Sequence, residues 1–327
     1  MRSLGAFLGL VIAVSGCAPG LNKDEDSLTI GAYSVVREAF HEAVLPAFSK
    51  AWKEKTGRTI RFEESYNGSG AQSRAIAAGF DADVAVLSLE SDVARLVKAG
   101  LVDKNWSDGP HRGMITRSLV VIGVRKGNPK GIVDWNDLAR PDVGVLYPDP
   151  KTSGGARWNI NAIWGAGLLS GDEGLLRRVQ NQVVNMDSSG RQSMATFERG
   201  TGDAIVTYEN ELLLQSKLTG EDTPFIVPPA TLLIEGPAAV VDSSVKRHEN
   251  RAVAEAFVAF LRGDEAQKIM VAYGFRPLDP KRDTRPLPPN MFTMAKLGGW
   301  PAVTKKVYDP GGIWDALFTD KRVAKGR

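Results

Sequence analysis

The chain has 327 residues, of which 43% are hydrophobic and 24% charged, with a formal net charge of +3. That length accommodates two medium domains, the apolar content excludes a disordered chain, and basic residues scattered along the chain exclude a nucleic-acid footprint. A single cysteine excludes an internal disulfide.

In chain order, residues 1–17 read first as a targeting segment. Arg2 supplies a positive start, Leu4 to Val14 an apolar run, and Val14-Ser15-Gly16-Cys17 a small-residue cleavage site. The run is far short of the roughly twenty residues a bilayer span needs. It resembles a bacterial lipoprotein signal, whose cleavage leaves Cys17 as a lipidated N-terminus; a plain secretory signal with an incidental cysteine is the alternative. Acyl chains contribute about 0.8 kcal/mol per buried methylene, so two or three hold a protein at a membrane. The polar residues 18–27 read as the tether.

Leu28 to Tyr33 predicts a first strand, followed by Ser34 and a helix through Phe40, Val44, Phe48 and Trp52. Ile60 to Glu64 predicts the next strand, then a loop and a helix with Ala71, Ala75, Ile76 and Ala78. Asp83 to Ser88 is a continuous apolar run of the buried type, and the helix Asp92 to Ala99 ends at Gly100. Ile115 to Arg125 is a long β-rich run. Beyond it the alternation restarts, with strands at Val143 to Tyr147, Val183 to Met186 and Ala204 to Tyr208. Helices follow them from Gly154, from Arg191 and over Glu209 to Lys217. Ala238 to Val241 is another β run, and Arg251 to Tyr273 a long helical stretch. This alternation predicts an α/β fold with a mostly parallel sheet. The simplest parse inserts the second series into the first. One lobe then takes 28–120 and 237–327, the other 121–236, and the chain crosses near 115–125 and 230–240 beside a hinged cleft.

Three strand-to-helix loops share one plan. The strand ending at Tyr147 meets Pro148 and Pro150, which cannot continue a central strand, then Ser153, Gly154 and Gly155 opening a helix. Ser65-Tyr66-Asn67-Gly68-Ser69-Gly70 and Asp187-Ser188-Ser189-Gly190 repeat the arrangement. Glycines leave a helix's first N–H groups open to an anion. One such loop alone is an ordinary turn with Ser153 as N-cap; three predict converging anion-binding corners at the carboxyl ends of strands.

Several strings are also familiar together: Lys151-Thr152-Ser153-Gly154-Gly155-Ala156-Arg157-Trp158-Asn159, Tyr66-Asn67-Gly68-Ser69-Gly70, Asp103-Lys104-Asn105-Trp106, Arg125-Lys126-Gly127-Asn128-Pro129, Asp134-Trp135-Asn136-Asp137-Leu138 and Tyr208-Glu209-Asn210-Glu211. From about residue 28 onward, including Gly298-Gly299-Trp300 and Gly311-Gly312, the chain resembles the bacterial sulfate/thiosulfate-binding proteins of ABC importers. The resemblance implies a two-lobe periplasmic-binding-protein-like fold of type II. It also implies a dianion held by backbone N–H groups, one serine hydroxyl and one indole N–H, without a salt-bridging cation. Carried over, Ser69 supplies the hydroxyl and its own N–H, Gly154, Gly155 and Gly190 supply N–H groups, and Ser34 stands where the family often has aspartate. Tyr208 stands where the family has its tryptophan donor, and a phenol also accepts.

Sulfate carries no proton at neutral pH and suits a pocket of donors, whereas phosphate and arsenate retain one and need an acceptor. Sulfate is therefore expected first and thiosulfate next, with phosphate, arsenate or molybdate as alternatives. The implied partner is the permease of an ABC importer, with the protein monomeric, periplasmic or at the cell surface, and in either place anchored to a bacterial membrane by a lipid on Cys17. A sensory protein presenting the anion to a receptor is a weaker rival. A secreted hydrolase of sulfate or phosphate esters is the rival from another class. Against it, His41, His111 and His248 are isolated, Gly68-Ser69-Gly70 lacks the full nucleophile elbow, and no phosphate-loop lysine motif is present. No metal or cofactor is expected. Asp149 and Asp187 read as helix caps, Glu209 and Glu211 as packing or hinge residues, and Arg157 and Arg191 as ion-pair supports beneath the loops.

Overall fold

The computed structural model describes residues 24–324. The targeting segment, Cys17, the tether up to residue 23 and residues 325–327 lie outside the described residues. The strands are β1 (Glu25–Tyr33), β2 (Thr59–Asn67), β3 (Val84–Val86), β4 (Met114–Val124), β5 (Val145–Leu146), β6 (Val183–Asn185), β7 (Ala204–Tyr208), β8 (Phe225–Ile226) and β9 (Leu233–Val240). They pair in the order β2-β1-β3-β9-β4-β7-β5-β6, with β8 on β4.

Two parallel half-sheets flank an antiparallel centre. In the first, β1 runs parallel to both β2 and β3. In the second, β5 runs parallel to both β6 and β7. Between them β4 and β9 are antiparallel to each other, β9 also pairs with β3, and the far end of β4 pairs with β7. Each half is closed by helices. Phe40 and Phe48 on the first helical segment meet Phe257 edge-on, and Phe62 packs among them. The helix Gly154–Ser170 is buried on nearly every face between Gly154 and Gly167, so it runs through the middle of the second half rather than along its surface.

Two helical expectations need refining. The stretch Arg251 to Tyr273 is two helices, Arg251–Leu261 and Asp264–Ala272, because Gly263 takes an extended conformation between them. The segment after Ser34 passes through a π-turn at Phe40–Val44 just before Pro46. A proline lacks the N–H that would continue the regular ladder, and a wider turn absorbs the loss.

A third departure concerns the C-terminal residues, which were expected to return to the first lobe. Phe292 and Leu297 crowd Gly165, and Trp300 packs edge-on against Trp158. The Tyr308 hydroxyl donates to Asn161 Oδ1 at 2.9 Å and lies 3.2 Å from the Arg157 carbonyl. This segment therefore lies mainly on the second half, and the assignment of all of 237–327 to one lobe does not hold for it.

On the first half, His248 sits between two carboxylates, its Nδ1 2.7 Å from Asp83 and its Nε2 2.9 Å from Asp81. Burial of the ring opposes its charge, but hydrogen bonds to Asp83 and Asp81 outweigh that and raise its pKa above the usual value. A raised folded-state pKa stabilises below the ordinary value of about 6.5 and is lost as pH rises through the higher one. Thermal melts from about pH 6 to 8 should therefore show His248→Gln closing part of the gap to wild type as pH rises. The site is partly exposed, so the screened difference should be no more than about 1 kcal/mol. A gap that widens with pH would contradict this sign.

Candidate functional site

The carboxyl ends of β1, β3 and β7 and the loops after β2, β5 and β6 meet between the two half-sheets. There Tyr33, Ser34, Val35, Gly68, Ser69, Ser88, Pro148, Ser153, Gly155, Asn159, Gly190, Thr207 and Tyr208 line one small cavity. None of these lining residues is charged. The helices Ser69–Ala77, Gly154–Ser170 and Gly190–Glu198 begin here, as does the short turn Ser34–Val36. The first N–H groups of a helix have no partner within it, and they carry its positive dipole end.

Five of the six residues singled out in the sequence share this cavity: Ser34, Ser69, Gly155, Gly190 and Tyr208. Gly154 is the exception. A Cβ there would lie 2.7 Å from Ser88 Oγ and 2.9 Å from Ser69 Cβ, so Gly154 is pressed against the opposite half. Gly155 has more room, with its nearest contact at 3.3 Å to Ser153 Oγ.

The hydroxyl of Ser69 does not play the expected part. It donates to Asp92 Oδ2 at 2.6 Å and accepts from the Ser88 N–H at 2.9 Å, so its hydrogen points away from the cavity. Asp92 is buried and also pairs with Arg95 at 3.0 Å. Ser153 lines the cavity instead, and its oxygen accepts weakly from the Ala156 N–H at 3.4 Å, leaving its hydrogen free to donate. Ser69→Ala would strand the Asp92 carboxylate and the Ser88 N–H. We expect a loss of about 1–3 kcal/mol in chemical denaturation. Unchanged stability would show that neither group depends on Ser69.

Contacts across the cavity hold the halves together. The Ala71 N–H donates to the Thr152 carbonyl at 3.2 Å, Arg74 to the Lys151 carbonyl at 3.0 Å, and the Trp158 indole to the Ser88 carbonyl at 2.8 Å. The Tyr208 and Ser88 hydroxyls are 3.1 Å apart. Arg191, next to Gly190, pairs with Glu38 at 2.7 Å and with the fully buried Glu211 at 3.1 Å. Burial pushes the Glu211 carboxyl above its ordinary pKa, with the Arg191 charge opposing. Arg157 has no such ion pair among the described residues: it donates to the Pro150 carbonyl and lies over the Tyr308 ring. Asp149 caps the Lys151 N–H, and Asp187 receives the hydroxyls of Ser193 and Thr196, bracing the Gly190 helix.

Sequence reading missed Ser88 and Asn159 and took Ser153 only as a cap. Ser88 does leave a trace, a hydroxyl directly after the apolar run from Val84 to Leu87.

A two-lobe α/β fold joined through β4 and β9, with an uncharged cavity between the lobes, defines a solute-binding protein that works outside the cytoplasm. The chain belongs to the family of bacterial extracellular solute-binding proteins, which it matches over residues 30–276. It is 39% identical over 336 residues to a sulfate-binding protein of Synechococcus elongatus, covering 97% of this chain and 95% of that one. It is 35% identical over 330 residues to a thiosulfate-binding protein of Pseudomonas aeruginosa, covering 97% of each. Among solved structures, the sulfate-binding protein SubI from Mycobacterium tuberculosis H37Rv superposes with a TM-score of 0.79 at 38% identity, over 86% of this chain and 99% of that one.

Proposed function

We propose that this protein captures a tetrahedral oxyanion, sulfate first and thiosulfate next, by closing its two lobes, and delivers it to an ABC importer. The observation that carries the reading is a small buried cavity where helix starts from both lobes converge without a charged lining residue. Such a site suits a small anion that accepts hydrogen bonds on every side. The N–H groups of Ser34, Ser69, Gly155 and Gly190 and the hydroxyls of Ser153 and Tyr208 are the donors we assign to it. Gly154 serves closure by admitting the facing lobe. Charge-assisted hydrogen bonds contribute about 1.5–3 kcal/mol each. Several of them reach micromolar affinity, about −8 kcal/mol, after ordering and desolvation. The anion touches both lobes only when they are together, so it favours the closed state.

Residues 28–120 and the return from 237 form one lobe in this reading, and 121–236, flanked by the C-terminal segment, form the other. The protein acts as a monomer, tethered outside the cytoplasm by a lipid on Cys17. Cys17→Ser should then move it from the detergent phase to the aqueous phase, and continued partition into detergent would refute the anchor. An esterase reading finds little support, since Ser69 donates to Asp92 and no histidine lines the cavity. Calorimetric titration with sulfate, thiosulfate, phosphate and molybdate tests the assignment. One sulfate per chain at micromolar affinity is expected, and no heat with any oxyanion would overturn it.

A further inference from the structure

We propose that Ser88 and Tyr208 act as one reversible donor–acceptor pair, which lets the cavity take a singly protonated oxyanion, hydrogen phosphate or hydrogen arsenate, as well as a fully ionised one. The proposal rests on the reading that this cavity holds an oxyanion, and goes beyond it by naming what sets the choice among oxyanions.

The two hydroxyl oxygens lie 3.1 Å apart, both residues line the cavity, and they come from opposite half-sheets, at the ends of β3 and β7. Ser88 and Tyr208 are 1% and 2% exposed, so bulk water does not serve as an alternative partner. Ser88 is also pinned at both backbone groups. Its N–H donates to Ser69 Oγ and its carbonyl accepts from the Trp158 indole. Only the rotation of its hydroxyl remains. Burial keeps the Tyr208 phenol neutral, far above its ordinary pKa, so it retains its hydrogen.

Two paired hydroxyls hold two hydrogens, and one of these lies between the oxygens. The pair therefore offers the ligand one further hydrogen and, on the oxygen that donates within the pair, a free lone pair. Reversing the inner hydrogen bond exchanges the two roles without moving a heavy atom. An ionised oxyanion uses the hydrogen alone, whereas a protonated one uses both.

The test is calorimetric titration of wild type, Ser88→Ala and Tyr208→Phe with sodium sulfate and sodium phosphate, above about pH 7.5 so that phosphate is mainly hydrogen phosphate. Wild type should bind both, phosphate within about 100-fold of sulfate. In Ser88→Ala, Tyr208 still donates to sulfate, and affinity should fall about threefold. When the same phenol accepts from hydrogen phosphate, its own hydrogen loses the partner it had, so phosphate should weaken by about 30-fold or more. Tyr208→Phe removes the other half of the pair and should move the ratio the same way. Equal weakening of both anions would mark a packing defect and overturn the proposal. So would a wild type that binds sulfate but no measurable phosphate, with the sulfate reading intact. A wild type that binds neither anion would instead overturn the functional reading beneath both.

Discussion

Gly154→Val should abolish oxyanion binding while leaving the protein folded. A Cβ at this position would meet Ser88 Oγ at 2.7 Å, Ser69 Cβ at 2.9 Å and Leu89 Cγ at 3.1 Å, and valine adds two methyl groups beyond it. All three contacts belong to the facing half, so the chain can relieve them by keeping the lobes apart. The cost then falls on closure rather than on folding. We expect affinity to fall at least about 100-fold, equivalent to roughly 2.7 kcal/mol, with the melting temperature of the unliganded protein near that of wild type. Gly155→Ala is the control. Its Cβ would meet Ser153 Oγ at 3.3 Å and Tyr208 Cε1 at 3.5 Å, contacts a small adjustment absorbs, so its effect should be much milder. Wild-type affinity in Gly154→Val would show that the lobes do not need to approach as closely as they do here.

The second large effect is expected at Arg276, one of the largest fully buried side chains. Its guanidinium grips Glu209 through two bonds at 2.7 and 2.8 Å, pairs with Asp283 at 2.8 Å, and donates to the carbonyl of Pro286 at 3.2 Å. Its backbone N–H donates to the carbonyl of Arg117 on β4, one of the two strands that pass between the halves. Among the described residues, Arg276→Leu would leave buried Glu209 with only Arg285, 3.4 Å away, as a cation. Breaking a buried pair from one side costs about 3–5 kcal/mol. At about 2–4 °C per kcal/mol for chains of 150–250 residues, that lowers the melting temperature by roughly 10 °C. Glu209 directly follows Tyr208, so oxyanion affinity should fall as well. A melting temperature within about 2 °C of wild type would show that Arg285 alone satisfies Glu209.

Much of the architecture could be read from the chain. The apolar runs at Leu28, Val84, Ile115 and Ala204 become β1, β3, β4 and β7, because strands buried on both faces need continuous hydrophobic sequence. The Ser/Gly loops were visible for a similar reason: only a few residue types open a helix while leaving its N–H groups bare. What escaped notice depends on contacts between distant segments. Ser88 matters because Tyr208, 120 residues further on, folds against it. The hydrogen of Ser69 turns away because Asp92 is buried beside it. Gly154 and Gly155 look equivalent in sequence, yet one faces the opposite lobe and the other the cavity. Gly68 is similar, since a Cβ there would sit 2.7 Å from the Thr152 carbonyl across the cleft. The C-terminal helical pieces carry apolar faces that suit either lobe, so their pattern could not say which one they cover.

Backbone amides gripping an anion without a countercharge can be observed directly by nuclear magnetic resonance, by following the amide signals of Ser69, Gly155 and Gly190 as sulfate is added to the full chain. All three should move downfield together and saturate at one equivalent, because each N–H acquires a charged acceptor at the same site. Sulfate that binds while these three signals stay still would contradict the account.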